Sequence, residues 1–201
     1  VGADNYLLIT EENGIIKFSS DDGITSLKPH NPYREENTWD IATKIYVNNM
    51  ILSGTNNDNL GKGYGLKLSR DLGEFKFINN GTLTGAGIYR DSYGIYIEDT
   101  ISDDTIIELT NNGMITGIST SQGSPENCYG ICNNYGVIRE MTNNGTIIGT
   151  VKGIGTVTGG YSYGIYNYGG TITELTNNGT IIGAVTGKFG YGCGIYNWGT
   201  I

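Results

Sequence analysis

Proline is nearly absent from this chain: Pro29, Pro32 and Pro125 are the only three. Glycine is abundant at 33 residues but follows no three-residue period, so a collagen helix is excluded. Only three cysteines (Cys128, Cys132, Cys193) and one histidine (His30) are present, and their spacing fits no standard zinc finger. Cys128 and Cys132 would lie about 13 Å apart on an extended strand. A disulfide needs Cα atoms within about 7 Å, so no bridge is expected between them. Basic residues number 12 against 20 acidic ones, for a net charge of −8. No basic stripe exists, which argues against nucleic-acid binding. No apolar run approaches the roughly 18 residues that suggest a spanning helix. No window sustains a 3.6-residue apolar period, so helices are not expected.

What remains is rich in strand and turn formers. There are 15 tyrosines, and Ile, Thr and Asn are frequent. These residues recur in order. Glu174-Leu175-Thr176-Asn177-Asn178-Gly179-Thr180-Ile181-Ile182-Gly183 is echoed at 140–149, at 108–117 and, more loosely, at 77–85. The turn glycines Gly81, Gly113, Gly145 and Gly179 set a period of 32 to 34 residues. That range indicates a solenoid. A second motif precedes each turn: Tyr93-Gly94-Ile95-Tyr96, Tyr129-Gly130-Ile131-Cys132, Tyr163-Gly164-Ile165-Tyr166 and Cys193-Gly194-Ile195-Tyr196.

The clearest repeat reads as three strands, Tyr163–Asn167, Thr171–Thr176 and Thr180–Val185, separated by Asn- and Gly-rich turns. The expected fold is all-β: a parallel β-solenoid over residues 78–201, right-handed by the crossover rule, after a small antiparallel unit over residues 1–77. Asn112, Asn144 and Asn178 should stack at one corner, with Gly113, Gly145 and Gly179 beside them in left-handed conformations. Loops of variable length, such as Lys152–Ser162, should lie along one edge. Asn48-Asn49 reads as a tight hairpin turn in the first unit. A start at Val1 and an end at Thr200-Ile201, in mid-coil, lead to the expectation that the natural protein is longer.

Two turns in the first unit carry a further pattern. Ser19, Asp21, Gly23 and Thr25 in one, and Ser69, Asp71 and Gly73 in the other, follow Ser-x-Asp-x-Gly-x-Thr-Trp. This resembles the Asp-box of bacterial neuraminidase-like repeats. Ser26 replaces the tryptophan in the first box, and Phe75 replaces the threonine in the second. The resemblance implies a structural role, with the Asp capping a hairpin turn, and carries no sialidase activity. The Asn-Asn-Gly-Thr-Ile repeats resemble segments of large bacterial surface proteins, and Asp-box segments are common in phage tail proteins.

Three groups of side chains are candidates for chemistry. Glu108, Glu140 and Glu174 hold equivalent places in successive repeats. Stacked in register they would form either a Ca²⁺-binding ladder or a solvated outer face. Glu98, Asp99, Asp103 and Asp104 form an acidic patch in an insertion, where paired glycosidase carboxylates or a solvated loop are the alternatives. Strand alternation puts Ile95, Ile131, Ile165 and Ile195 inside and sends Tyr96, Cys132, Tyr166 and Tyr196 outward. Tyr168 and Trp198 extend that face, and Gly94, Gly130, Gly164 and Gly194 would leave a shelf beside it. Such a stripe either stacks on sugars or only stabilises the coil.

The expected function is a non-enzymatic extracellular module, the rigid shaft of a phage tail appendage or bacterial surface adhesin. Its expected partners are a host-cell or extracellular glycan, or neighbouring subunits of a fibre. No catalytic residue and no cofactor are assigned; Ca²⁺ at Glu108, Glu140 and Glu174 is the metal alternative. The alternative is a polysaccharide lyase or glycosidase on a β-helix. Few basic residues in the repeats argue against a pectate-type site.

Overall fold

A computed structural model describes residues 7–12, 15–19, 37–55, 61–69, 72–87, 90–98, 105–119, 126–152, 160–186 and 190–201. Every regular element among them is a strand. In chain order these are β1 (Leu7–Glu12), β2 (Ile15–Ser19), β3 (Thr38–Asp40), β4 (Ile45–Asn48), β5 (Ile51–Thr55) and β6 (Gly63–Leu68). Then come β7 (Gly73–Asn79), β8 (Thr82–Gly87), β9 (Ser92–Glu98), β10 (Thr105–Asn111), β11 (Met114–Ser119) and β12 (Cys128–Asn134). The last are β13 (Val137–Asn143), β14 (Thr146–Lys152), β15 (Tyr161–Ile172), β16 (Leu175–Asn177), β17 (Thr180–Thr186) and β18 (Tyr191–Thr200).

The strands stack in three parallel columns, which makes the fold a β-solenoid. The first face is β6-β9-β12-β15-β18. The second is β4-β7-β10-β13, with β16 on β13. The third is β5-β8-β11-β14-β17. Alternate residues point inward, and Leu52, Leu66, Phe77, Leu83, Ile95, Ile107, Ile131, Ile147 and Ile165 form one continuous core. Tyr46 lies on Phe77 inside it, ring centroids 5.5 Å apart.

The coil begins well before residue 78. The expected boundary falls inside β7, and β4, β5 and β6 already pair in parallel with β7, β8 and β9. Asn48-Asn49-Met50 is therefore a coil corner and not a hairpin turn, since β4 and β5 lie in different sheets. Antiparallel pairing is confined to β1–β2 and β3–β4 among the described residues. Asp21, Gly23 and Asp71 lie outside the described residues. Gly73 opens β7 with φ +67° and open space around its Cα, the conformation for which a turn glycine is suited.

The Asn corner stacks as expected, but in two columns. Outside, the Nδ2 groups of Asn80, Asn112, Asn144 and Asn178 each donate to the Oδ1 one coil back, over 2.8 to 3.0 Å. Inside, Asn48, Asn79, Asn111 and Asn143 donate one coil forward over 2.8 to 2.9 Å. These four are fully buried. The inner amides also hold the turn, as Asn111 Nδ2 donates to the Gly113 and Thr146 carbonyls, both at 3.2 Å. Buried amides are tolerated because they are hydrogen-bonded.

The corner glycines are required for a different reason from the one expected. Gly113, Gly145 and Gly179 do not have left-handed φ. A Cβ on Gly113 would sit 2.0 Å from the Gly81 carbonyl oxygen, and one on Gly145 equally close to that of Gly113. Each glycine thus makes room for the coil before it. No described corner lies on the far side of Met50, and there a side chain is accommodated.

Candidate functional site

The first face carries the aromatic residues. Its strands do not alternate simply. Gly94 and Ile95 both face inward: a Cβ on Gly94 would sit 2.6 Å from Ile115 Cγ2, and Ile95 is fully buried. The strand turns a corner there and its parity resets. Tyr93 and Tyr96, three residues apart, consequently share the outer side with ring centroids 4.8 Å apart. The same holds for Tyr163 and Tyr166 at 4.9 Å. Gly130 and Gly164 likewise abut Ile147 and Ile181 inside the coil. The expected outer shelf of glycines therefore does not exist. Those glycines let the first and third faces approach almost backbone to backbone.

Two aromatic columns result. Tyr64, Tyr93, Tyr129 and Tyr163 stack with centroids 4.9 to 5.6 Å apart and near-parallel rings. The last three of these are only 4 to 8% exposed. Beside them run Tyr96, Cys132, Tyr166 and Tyr196. Tyr166 stacks on Tyr196 at 5.4 Å, and Tyr168 meets Trp198 edge-on at 5.2 Å. The four residues expected from the sequence, Tyr166, Tyr168, Tyr196 and Trp198, are thus brought together. Tyr196 is 38% and Trp198 65% exposed. The buried column of Tyr93, Tyr129 and Tyr163 was not expected. Its signal was the Tyr directly before each Gly-Ile pair, and only the corner places it on the same side as Tyr96 and Tyr166.

Burial sets the chemistry of this face. It raises the phenols of Tyr93 and Tyr129 and pushes Tyr163 up to about 12. Cys132 lies among the rings, and its thiol is also raised by burial. Cys128 faces the interior, where Ser92 Oγ donates to its Sγ at 3.2 Å, and burial pushes its pKa up to about 12. All three cysteines are free, and Cys128 and Cys132 are protonated at neutral pH.

The charges gather on the second face. Glu108 and Glu140 are neighbours in register, but Lys76 holds the other side of Glu108 at 3.6 Å. The register shifts by one residue at Glu108, so that Arg139 bulges out and reaches Glu108 at 3.7 Å and Glu74 at 2.6 Å. The hydrogen bond from Arg139 holds the Glu74 carboxyl below its ordinary range. Glu174 lies between β15 and β16, where its carbonyl accepts from the Met141 N–H at 2.9 Å. The three glutamates therefore do not form a uniform acidic ladder. A groove of about 490 Å³ lies between the Ala42–Lys44 turn and these side chains. Glu98 pairs with Lys67 at 3.4 Å, while Asp99, Asp103 and Asp104 lie outside the described residues.

No helix among the described residues is long and apolar enough to cross a membrane. Comparison of the chain with protein-family models, with curated proteins and with solved structures finds no match.

Proposed function

We propose that the chain is a non-enzymatic structural and recognition module, a rigid shaft displayed outside the cell or on a virion, that contacts a glycan through its aromatic face. The observation that carries this reading is the pair of tyrosine-rich columns on the first face, one from Tyr64 to Tyr163 and one from Tyr96 to Tyr196 that Cys132 interrupts. Stacked rings in the inner column hold the face in shape, and the partly exposed Tyr166, Tyr168, Tyr196 and Trp198 offer ring surface and polar edges. Aromatic residues with one polar end favour such contacts. Each ring would add about 0.5 to 1.5 kcal/mol, so a single site binds weakly and repetition along a shaft supplies avidity. A glycosidase would need two carboxylates free to act in a cleft. In the charged groove, Glu74 and Glu108 are held by Arg139 and Lys76.

The test is to change Tyr166, Tyr196 and Trp198 together to Ser and to measure binding to a glycan array and to host cells. Binding should fall at least tenfold while the β-sheet circular dichroism is retained. Unchanged binding removes the aromatic face from the function. Release of new reducing ends from a polysaccharide would establish an enzyme instead.

A further inference from the structure

The outer side of the third face carries one charge among the described residues, Lys152 at its edge. The outward residues of its five strands are Thr, Ile, Ala, Ser or Met, with the single exception of Lys152 at the end of β14. The burial pattern alternates strictly along β8, β11 and β14, so these residues are outward by geometry. Ile51, Met114 and Ile182 stand proud at 75%, 44% and 40% exposure. Lys152 ends β14 opposite Thr186, at the edge of the face. The second face, by contrast, displays Glu74, Lys76, Glu108, Arg139 and Glu140.

We infer that this face pairs with the same face of a second copy of the chain. The charge distribution selects that partner. Each chain carries a net charge of −8, so two copies repel, and burying an unpaired charge between them would add a desolvation cost. The third face can be closed against itself with Lys152, at the end of β14, left at the rim in water. A two-fold axis through the middle of β11 matches the face with itself, as an isologous contact requires. Five strands about 4.8 Å apart, each contributing some six residues of about 3.3 Å, give roughly 450 to 500 Å² per copy. Two copies bury on the order of 1,000 Å², the lower edge of specific interfaces, so the contact is weak and reversible. The first and third faces lie back to back: a Cβ on Gly117 of β11 would sit 2.1 Å from the Tyr129 carbonyl oxygen of β12. Pairing through the third face therefore leaves two aromatic faces directed away from each other.

The experiment is sedimentation equilibrium of the whole chain over two decades of concentration, up to about 1 mM. The wild type should shift from monomer to dimer and stop there. The double variant Met114→Lys/Ile148→Lys should remain monomeric, raising the dissociation constant at least tenfold. It moves the net charge from −8 to −6, so general repulsion falls and does not explain the loss. A second pair at the exposed positions, Ile51→Lys/Ile182→Lys, should do the same and guards against misfolding of the first. Tyr166→Ser, on the aromatic face, should leave association unchanged. A wild type that stays monomeric throughout overturns the inference, as does dimerisation that folded lysine variants retain or that Tyr166→Ser abolishes.

Discussion

Asn143 and Asn144 are adjacent, identical in type and predicted to respond very differently to one change, Asn→Asp. Asn143 is fully buried. Its Nδ2 donates to Asn177 Oδ1 at 2.8 Å and to the Thr180 carbonyl at 3.2 Å, and its Oδ1 accepts from Asn111 Nδ2 at 2.8 Å. A carboxylate there keeps the accepted bond and loses both donated ones. It also turns an oxygen toward two other oxygens. Asn177 and Thr180 are exposed and can turn to water, so the cost lies in the unpaired carboxylate left buried at 143, on the order of 3 to 5 kcal/mol. That is a large share of the roughly 5 to 15 kcal/mol that holds a domain folded. Asn144 is exposed, donates to Asn112 at 2.9 Å and accepts from Asn178 at 3.0 Å. Water replaces what it loses, and the cost is about 1 kcal/mol or less. The introduced inner carboxyl can donate only when protonated, so its folded pKa rises above the unfolded value of about 3.9. The Asn143→Asp protein should therefore recover stability as pH falls toward 4 and lose it as pH rises through the raised pKa. Urea unfolding followed by circular dichroism, at pH 7 and pH 4, measures both effects. Equal midpoints for the two variants at pH 7 would refute the separation into inner and outer amide columns.

Three further outcomes are expected. Gly149→Ala places a Cβ 2.2 Å from the Tyr163 carbonyl oxygen and should lower stability by about 1 to 3 kcal/mol, measured by urea midpoint, whereas a loss below about 0.5 kcal/mol would mean that the two faces do not approach so closely. Thr116 Oγ1 is buried without a hydrogen-bond partner, so Thr116→Val should stabilise the fold by about 1 kcal/mol in the same assay. Burial raises Tyr93 and Tyr129 and pushes Tyr163 to about 12, so their contribution to stability is complete below the unfolded value of about 10 and is lost as pH rises from there toward 12. Phenolate absorbance at 295 nm should show these tyrosines ionising together with loss of the fold, and titration of all 15 near pH 10 in the folded protein would contradict this.

The three-strand coil was legible because its turns repeat: Asn-Asn-Gly recurs where the chain must bend, and the inward apolar residues recur between. Two features escaped for physical reasons. Met50 replaces the corner glycine where no described coil crowds it, so the first Asn corner did not look like the others and the coil seemed to start near residue 78. The Gly94-Ile95 corner resets strand parity, so alternation placed Tyr96, Tyr166 and Tyr196 correctly but hid Tyr93, Tyr129 and Tyr163 beside them. The opposed directions of the two Asn columns follow only from the closed coil, since the residues that form them are adjacent and identical.

The claim on which everything else rests is one continuous in-register coil from β4 to β18. Its most direct test is a pair of spin labels at Asn49 and Asn178, at opposite ends of the outer Asn column. They should be placed in a Cys193→Ser background, in which Cys128 and Cys132 are buried. Asn80, Asn112 and Asn144 stand between them, making four rungs of about 4.8 Å. Pulsed dipolar spectroscopy should therefore give one narrow distribution centred near 19 Å, widened by the label linkers. A broad distribution, or a distance beyond about 40 Å, would contradict the coil.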